Sequence, residues 1–180
     1  NISQQAYQRG MACLHRFKLL MRQYPIKNYW ALGTNTFRNA QNSSEFIKAA
    51  QKIGIEIAII SGVQEAILVY AGVISALPTS ESRRLVLDVG GGSTEVIVGK
   101  GHKRLTTESL SVGSVAWRDR FFQVPSFSRA HLLSQMDKGA EEASRLFESV
   151  APGVRRADWN EAYASSGTMK MLASICEEHG

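Results

Sequence analysis

Apolar side chains in the first part of the chain follow the spacing of a helix. Between residues 3 and 23 they recur every three or four positions, at Tyr7, Met11, Leu14, Phe17 and Met21. This is the period at which side chains share one helical face, so the segment is predicted to be an amphipathic helix with this stripe on the core. Ser3 is the expected N-cap residue, and Pro25 lies just beyond the expected end.

Beyond this helix, short apolar runs alternate with longer helical patterns. Strands are predicted at residues 29–34, 55–60, 103–111 and 161–165, and helices at residues 42–54, about 61–76, 114–122, 129–150 and from Thr168 onward. A loop is predicted after Val150, because Pro152 and Gly153 both disfavour a helix. The alternation is typical of α/β folds. The alternation of strands and helices changes twice along the chain. This predicts two α/β units, with a boundary near residue 68 and a cleft between them.

Residues 85–99, LVLDVGGGSTEVIVG, interrupt the alternation with two strand-like runs joined by a glycine-rich loop. The runs are too short for helices and rich in β-branched residues, so they are predicted to form a hairpin. Glycines carry no Cβ and can adopt positive φ, which lets backbone N–H groups face a phosphate. The alternative is a polar hairpin turn, which needs fewer than three glycines. The residues predicted to bind phosphate are Gly90, Gly91, Gly92, Ser93 and Thr94.

The carboxylates next to this loop add the chemistry of a divalent cation. Asp88 ends the first strand and Glu95 follows the loop, so both would lie beside a bound phosphate. Hard cations bind carboxylate oxygens, and a cation there could bridge to the phosphate. The spacing matches neither the dinucleotide fingerprint G-x-G-x-x-G nor the Walker loop G-x-x-x-x-G-K-[ST], which both open a helix. The sequence therefore predicts a phosphate and metal site on a strand–loop–strand motif.

Three further positions are candidates because they follow predicted strands or begin predicted helices, where open α/β sheets bind ligands. Arg38 could form a bidentate contact with phosphate; the alternative is a surface arginine. Glu65 lies in the first turn of a predicted helix; the alternative is an acidic residue that merely favours a helix start. The segment Ser166, Gly167 and Thr168 precedes the last helix, where amides face anions; the alternative is an ordinary turn and cap.

Composition narrows the class of protein. With 180 residues and 44% hydrophobic content, the chain is typical of a soluble globular protein of one or two domains. Apolar runs are too short for a membrane span and no secretory pattern is recognised, so a cytoplasmic location is expected. Cys13, Cys176 and the scattered histidines match no metal motif. The net charge is +5, but no basic stripe with interleaved aromatics occurs, so nucleic-acid binding is not expected.

Five motifs together resemble the exopolyphosphatase and guanosine pentaphosphate phosphatase family. In chain order they are LGTNTFRNAQN, ISGVQEAILVYAGV, LVLDVGGGSTEVIVG, SLSVGSVAWRDRFF and ASSGTMKMLA. The resemblance covers almost the whole chain. It implies the actin-like ATPase, or ribonuclease H-like, superfold, with a phosphate-binding cleft between two related α/β domains. It also implies Mg²⁺-dependent hydrolysis of a terminal phosphoanhydride in inorganic polyphosphate or guanosine pentaphosphate, and a homodimer for the full-length protein.

The same resemblance assigns roles residue by residue. It implies that Glu65 orients or deprotonates the attacking water, that Asp88 and Glu95 position metal and water, and that Arg38 contacts phosphate. It also identifies the glycine-rich segment as a phosphate loop. A noncatalytic nucleotide or alarmone sensor of the same fold is the alternative, favoured by Gln64, where the family usually has glutamate. A kinase of this superfold is a third, weaker alternative. Three carboxylates argue against a sensor, because they repel an anion unless cations intervene.

The first phosphate loop of this family, Asp-x-Gly-Ser-Asn-Ser, does not occur in this sequence. The chain is therefore expected to be a fragment, with residues 1–68 the C-terminal part of a first α/β domain and residues 69–180 an incomplete second one. We expect these residues alone to be a poor catalyst, because phosphoryl transfer depends on complete positioning of the substrate. The full-length protein is expected to be an enzyme.

Overall fold

The computed structural model describes residues 1–123 and 128–179. The chain divides into two compact units, Asn1–Ser61 and the residues from Gly62 onward. The predicted domain boundary near residue 68 falls inside a helix that begins at Gly62. The buried side chains of that helix pack on the sheet of the second unit, which is why the compact units divide before the helix begins.

The first unit consists, in chain order, of α1 (Gln4–Gln23), β1 (Ala31–Gly33), α2 (Asn35–Asn39), α3 (Ser43–Lys52) and β2 (Ile57–Ile59). The hydroxyl of Ser3 accepts a hydrogen bond from the Ala6 amide at 3.2 Å, so Ser3 caps α1 as predicted. β1 and β2 pair in parallel and are shorter than the predicted strands. The helix α2 was not expected from the sequence pattern, which indicates a loop after the first strand.

Asn42 is the N-cap residue of α3, as predicted, but its side chain makes a different contact. Its Oδ1 accepts from the Ile2 amide at 2.8 Å, and its Nδ2 donates to the Ile2 carbonyl at 2.9 Å. Phe46 of α3 is buried and packs edge-on against Tyr7 and Phe37, with ring centroids 5.3 and 5.4 Å away. The Asn42–Ile2 hydrogen bonds hold the start of α3 to the residues before α1, and the aromatic cluster joins α1, α2 and α3 in one core.

The second unit consists of α4 (Gly62–Ala76), β3 (Arg83–Val89), β4 (Thr94–Lys100), β5 (Lys103–Leu110), α5 (Ser114–Phe121), α6 (Arg129–Arg156), β6 (Glu161–Ser165) and α7 (Gly167–His179). The strands form one sheet in the order β5-β4-β3-β6. β3 pairs antiparallel with β4, and β4 pairs antiparallel with β5. β6 pairs parallel with β3. The predicted hairpin of β3 and β4 is confirmed, and it forms the centre of the sheet, with β5 beside β4 and β6 beside β3.

This sheet is covered on both faces. One face packs against α4, where Ala66, Tyr70 and Ile74 contact Val86 and Ile97. The other face carries Leu85, Val96, Val98 and Leu110, packed against Trp117 of α5 and Leu146, Val150 and Val154 of α6. Side chains alternate between faces along a strand, and residues opposite each other in a ladder share a face. Asp88 and Glu95 are opposite each other and two residues from Val86 and Ile97, so they lie on the α4 face.

Helix α6 is longer than predicted. The sequence predicts a loop after Val150, but the helix continues through Pro152 to Arg156. Val150 and Val154, on either side of the proline, pack against the buried core of the sheet. A proline inside a helix costs about 3 kcal/mol, and apolar packing on both sides of it offsets that cost. The predicted loop is therefore wrong.

Within residues 1–123 and 128–179, no helix combines the length and the apolar character needed to cross a membrane.

Candidate functional site

The loop between β3 and β4, residues 90–93, is a tight turn and is called the glycine loop below. The Gly90 amide donates to the Ser93 carbonyl at 2.9 Å, and Val89 and Thr94 face each other at its two ends. Thr94 was predicted to offer its hydroxyl to phosphate. The structure differs, because Thr94 is only 1% exposed and its hydroxyl donates to the Val112 carbonyl at 2.7 Å. Thr94 therefore anchors the glycine loop to the segment that follows β5.

The first turn of α5 lies directly against the glycine loop. The Ser114 amide donates to the Gly90 carbonyl at 3.0 Å, and the Ala116 amide donates to the Gly91 carbonyl at 2.8 Å. A Cβ atom on Gly113 would lie 2.4 Å from the Gly92 nitrogen, closer than real side chains approach backbone. These contacts fix the loop from outside the hairpin. Sequence reasoning missed them, although the glycine between two serines in SVGS is the signal that could have indicated a close backbone approach.

Three carboxylates gather at the same end of the sheet. Asp88 and Glu95 are directly opposite each other on β3 and β4, and Glu65 lies in the first turn of α4, the helix that covers this face. Glu95 is only 2% exposed. Ser109, its neighbour on β5, donates its hydroxyl to Glu95 Oε1 at 2.9 Å. Sequence reasoning also missed Ser109, because cross-strand partners depend on register, which the sequence pattern did not resolve.

The environment of Glu95 opposes its ionisation. Burial raises the pKa of the Glu95 carboxyl, and the nearby charges of Glu65 and Asp88 raise it further. Hydrogen bonds from Ser109 and Ser93 act in the opposite direction but do not cancel the rise. Like charges held close together are typical of sites that bind a cation or transfer protons. A positive ligand beside Glu95 would reverse the effect and favour its carboxylate form.

Asp88 and Glu95 fit a Mg²⁺ ion that completes its coordination with water and phosphate oxygens. Among the described residues, no group of three or more histidine, cysteine or acidic side chains is arranged to hold a metal ion. Mg²⁺ does not require such a group, because it binds through one or two carboxylates and fills its remaining positions with water and phosphate oxygens. Asp88 and Glu95 carry carboxylate oxygens of this kind beside the glycine loop, and their binding of Mg²⁺ stays a prediction. They fit an ion that is bound together with a phosphate.

The predicted turn before the last helix also lies against the glycine loop. The Ser166 hydroxyl donates to the Val89 carbonyl at 2.6 Å. Thr168 Oγ1 lies 3.1 Å from Ser114 Oγ, and Gly167 begins α7. Ser166 has a φ of 92°, a backbone conformation that serine rarely adopts. The segment Ser166, Gly167 and Thr168 therefore contacts the loop and its supporting helix; whether it contacts phosphate stays a prediction.

Arg38 belongs to the first unit. It lies in α2, and its Nη1 donates to the Ile60 carbonyl at 2.8 Å. This hydrogen bond ties α2 to the residue that follows β2. The predicted contact of Arg38 with phosphate stays a prediction. In the second unit, by contrast, the structure places Glu65, Asp88, Glu95 and the glycine loop at one end of one sheet.

A family model described as the Ppx/GppA phosphatase family matches residues 1–180. The structure of an exopolyphosphatase from Cytophaga hutchinsonii is similar, with a TM-score of 0.83 and 24% identity over 98% of this chain and 56% of that chain. An exopolyphosphatase-like protein has a TM-score of 0.86 and 22% identity over 98% of this chain and 56% of that one. An Aquifex aeolicus Ppx/GppA enzyme has a TM-score of 0.69 and 26% identity over 96% of this chain and 55% of that one.

These comparisons confirm the predicted α/β fold class and the predicted family resemblance. They also show that the chain spans a little over half the length of the solved structures it matches.

Proposed function

The chain belongs to the Ppx/GppA phosphatase family, and from this premise we propose that the protein hydrolyses the terminal phosphoanhydride of inorganic polyphosphate or guanosine pentaphosphate. One observation carries the proposal. The glycine loop lies at the same end of the same sheet as Asp88 and Glu95, and Glu65 is close enough to influence the Glu95 carboxyl. Anion-binding amides and cation-binding carboxylates in one place are what hydrolysis of a phosphoanhydride requires.

The glycine loop is proposed to hold the terminal phosphate through its backbone N–H groups. Successive amides in a tight turn make a concave anion site, and preorganised donors stabilise the charge that develops during phosphoryl transfer. The loop is held rigid by the contacts of Ser114 and Ala116, which favours such preorganisation. The same donors would hold the phosphate of either proposed substrate, so the loop alone does not select between them.

Glu65 is proposed to orient the attacking water and accept its proton. The water oxygen bonds to the terminal phosphorus, and the bond from that phosphorus to the bridging oxygen breaks. Orthophosphate leaves, and the remaining substrate is shorter by one phosphate. A positioned carboxylate base contributes about 10²–10⁴-fold to a rate of this kind. The position of Glu65 in the first turn of α4, over the face that carries Asp88 and Glu95, supports this assignment.

Asp88 and Glu95 would hold Mg²⁺ together with the phosphate. When bound, the ion supplies positive charge that neutralises the phosphate oxygens and favours the ionised form of Glu95. Arg38 is proposed to contact the phosphate chain, a role that the family resemblance implies and its guanidinium chemistry allows. A homodimer of the full-length protein is also proposed, from the family resemblance, and a cytoplasmic location is proposed from the short apolar runs of the sequence.

The test is release of orthophosphate by the full-length protein in Mg²⁺ buffer, with long-chain polyphosphate and guanosine pentaphosphate as parallel substrates. We expect release from at least one of them, and a loss of about 10²-fold or more in Glu65→Gln. Glu81→Gln is the matched control. Glu81 is an exposed glutamate before β3 whose carboxylate pairs with Lys100 at 2.7 Å, so its loss should leave the rate unchanged.

Two results would contradict the proposal. If Glu65→Gln released phosphate at the rate of the wild-type protein, Glu65 would not activate the water. If the wild-type protein bound both ligands without turnover, it would be a noncatalytic sensor, the alternative that Gln64 favours. The relative rates on the two substrates rank them directly.

A further inference from the structure

Three successive carbonyl groups at the start of the glycine loop are held by donors from outside the hairpin. The Val89 carbonyl accepts from the Ser166 hydroxyl at 2.6 Å. The Gly90 carbonyl accepts from the Ser114 amide at 3.0 Å, and the Gly91 carbonyl accepts from the Ala116 amide at 2.8 Å. The donors come from the β6–α7 turn and from the first turn of α5. Together they fix the orientation of consecutive peptide planes.

The orientation of these planes determines where the loop N–H groups point. The peptide bonds of the loop are trans, and in a planar trans peptide the C=O and N–H bonds point in opposite directions. The peptide unit that carries the Gly90 carbonyl also carries the Gly91 N–H, and the next unit pairs the Gly91 carbonyl with the Gly92 N–H. Because both carbonyls point toward α5, both N–H groups point away from it. Within the described part of the chain, neither N–H donates to another backbone carbonyl.

We propose that Ser166 and the first turn of α5 are positioning elements, which aim the Gly91 and Gly92 N–H groups at the phosphate. The inference rests on the proposed function, and it assigns Ser166 a role different from direct phosphate binding. Ser166 acts through the Val89 carbonyl, whose peptide unit also carries the Gly90 N–H, and that N–H closes the turn on the Ser93 carbonyl at 2.9 Å. Ser166 therefore acts on the Gly91 and Gly92 N–H groups by fixing the turn that carries them. The α5 turn acts through the next two carbonyls.

The backbone at Ser166 supports this role. Its φ of 92° is in a region where glycine is favoured and a serine side chain is strained. A glycine there would relieve the strain but remove the hydroxyl that reaches Val89. The chain therefore retains an unfavourable conformation together with the hydrogen bond that the conformation allows. Strain of this kind persists where surrounding structure requires it, most often at functional sites.

Substitutions at Ser166 separate positioning from folding stability. Ser166→Gly removes the hydroxyl and suits the backbone, whereas Ser166→Ala removes the hydroxyl and keeps the strain. The matched control is Ser149→Ala in α6, which removes a hydroxyl-to-carbonyl hydrogen bond of the same length, 2.6 Å, to Leu146. All are made in the full-length protein on a Glu65→Gln background, so that the ligand is not consumed. Binding of tripolyphosphate and of inorganic phosphate in Mg²⁺ buffer is measured by calorimetry, and thermal unfolding is measured in parallel.

Both Ser166 variants are expected to bind the probes about two- to tenfold more weakly than the background protein, the range for loss of one hydrogen bond. Ser166→Gly should nevertheless unfold at a higher temperature than Ser166→Ala, because glycine tolerates the positive φ. Ser149→Ala should bind normally. If Ser166 had a purely structural role, affinity would follow stability. The more stable Ser166→Gly variant would then bind the probes more tightly than Ser166→Ala.

The outcomes distinguish this inference from the proposed function. If Ser166→Gly binds both probes as tightly as the background protein, the inference is overturned, even if the wild-type protein hydrolyses its substrate. If the wild-type protein hydrolyses neither substrate but Ser166→Gly weakens binding, the inference stands and the proposed hydrolysis fails. Absence of any binding of either probe by the Glu65→Gln protein would overturn the inference, whereas release of orthophosphate by the wild-type protein would still decide the proposed function.

Discussion

The hairpin of β3 and β4 has a buried charged residue near each end, and the two residues have opposite surroundings. At the start of β3, Arg84 is 4% exposed and its Nε donates to Glu161 Oε2 on β6 at 2.8 Å. At the far end, Glu95 is 2% exposed and faces Asp88, a charge of the same sign. A partner of opposite charge offsets much of the desolvation cost of a buried charge, whereas burial of a charge among like charges costs stability unless a ligand compensates.

The pKa values of the two glutamates report this contrast. Hydrogen bonds, first of all from Arg84, lower the pKa of the Glu161 carboxyl to about 2. Burial raises the pKa of the Glu95 carboxyl. Tyr163 completes the first cluster by donating its hydroxyl to Glu161 at 2.9 Å, and its ring lies 5.5 Å from the Arg84 guanidinium. We infer that the start of β3 is built for stability, and that its far end is built for ligand binding.

The strongest test of this contrast is Glu95→Gln. The substitution removes a buried charge from a cluster of like charges, so the folded protein should gain about 0.5–2 kcal/mol at neutral pH. The same change removes a proposed Mg²⁺ ligand, and phosphate release should fall about 10²-fold. Urea unfolding and release of orthophosphate measure the two effects. A variant that lost stability as well as activity would contradict the idea of a ligand-compensated site.

A pair of glycines tests the same contrast at the level of the backbone. A Cβ on Gly99, at the Arg84 end, would lie 2.3 Å from Tyr70 Oη and 2.6 Å from the Lys103 carbonyl. Gly99→Ala should cost about 1–3 kcal/mol of stability through overpacking and leave phosphate affinity intact. Gly113→Ala pushes on the glycine loop and should weaken tripolyphosphate binding by about tenfold or more. Equal effects of both variants on binding would show that the two ends are not functionally distinct.

The pH dependence of stability should separate the two glutamates. Glu161 has a folded pKa of about 2 against an ordinary value of 4.5, so its contribution is present above pH 4.5 and is lost as the pH falls toward 2. Glu95 has a raised pKa, so stability falls as the pH rises above 4.5, where the unfolded chain ionises first. Glu161→Gln should reduce the loss of folding stability as the pH falls below 4.5. Glu95→Gln should remove the loss of folding stability as the pH rises above 4.5. Thermal unfolding across pH measures both slopes.

The smallest expected effect is that of Ser109→Ala. The Ser109 hydroxyl donates to Glu95 and lowers the pKa of its carboxyl, so its removal should raise that pKa further. The rise of the orthophosphate-release rate on the acid side of its pH profile should then move to higher pH. The rate should fall about threefold near the midpoint of that rise and change little at alkaline pH. Ser149→Ala serves as the control. A uniform loss at every pH would show that Ser109 acts on something other than Glu95.

Much of this arrangement is predictable from local pattern. The β-branched runs around the three glycines predict the hairpin, and the stripe from Tyr7 to Met21 predicts α1, because both signals are contained within one element. The contacts of Ser166 with Val89 and of Ser109 with Glu95 join residues 77 and 14 positions apart in the chain, and no local pattern encodes them. The order and register of the strands bring these residues together, because β6 pairs with β3 and β5 pairs with β4.

The wrong and altered predictions have the same cause. Pro152 favours a loop locally, but Val150 and Val154 hold the helix against the core. Asn42 has the right residue type for a cap, but Ile2 offers both its amide and its carbonyl to the same side chain. In each case a tertiary contact outweighs a local preference of about 1–3 kcal/mol.

Trp117 gives the molecule an optical reporter of its own. Its indole N–H donates to the Gly139 carbonyl at 3.0 Å, and its ring packs on the sheet from α5, the helix whose first turn supports the glycine loop. The other two tryptophans, Trp30 and Trp159, are 85% and 41% exposed. Replacing both with phenylalanine leaves Trp117 as the only tryptophan among these 180 residues, coupled to the loop through one helix. Its emission should then follow ligand capture in real time, without a label, in an ordinary stopped-flow instrument.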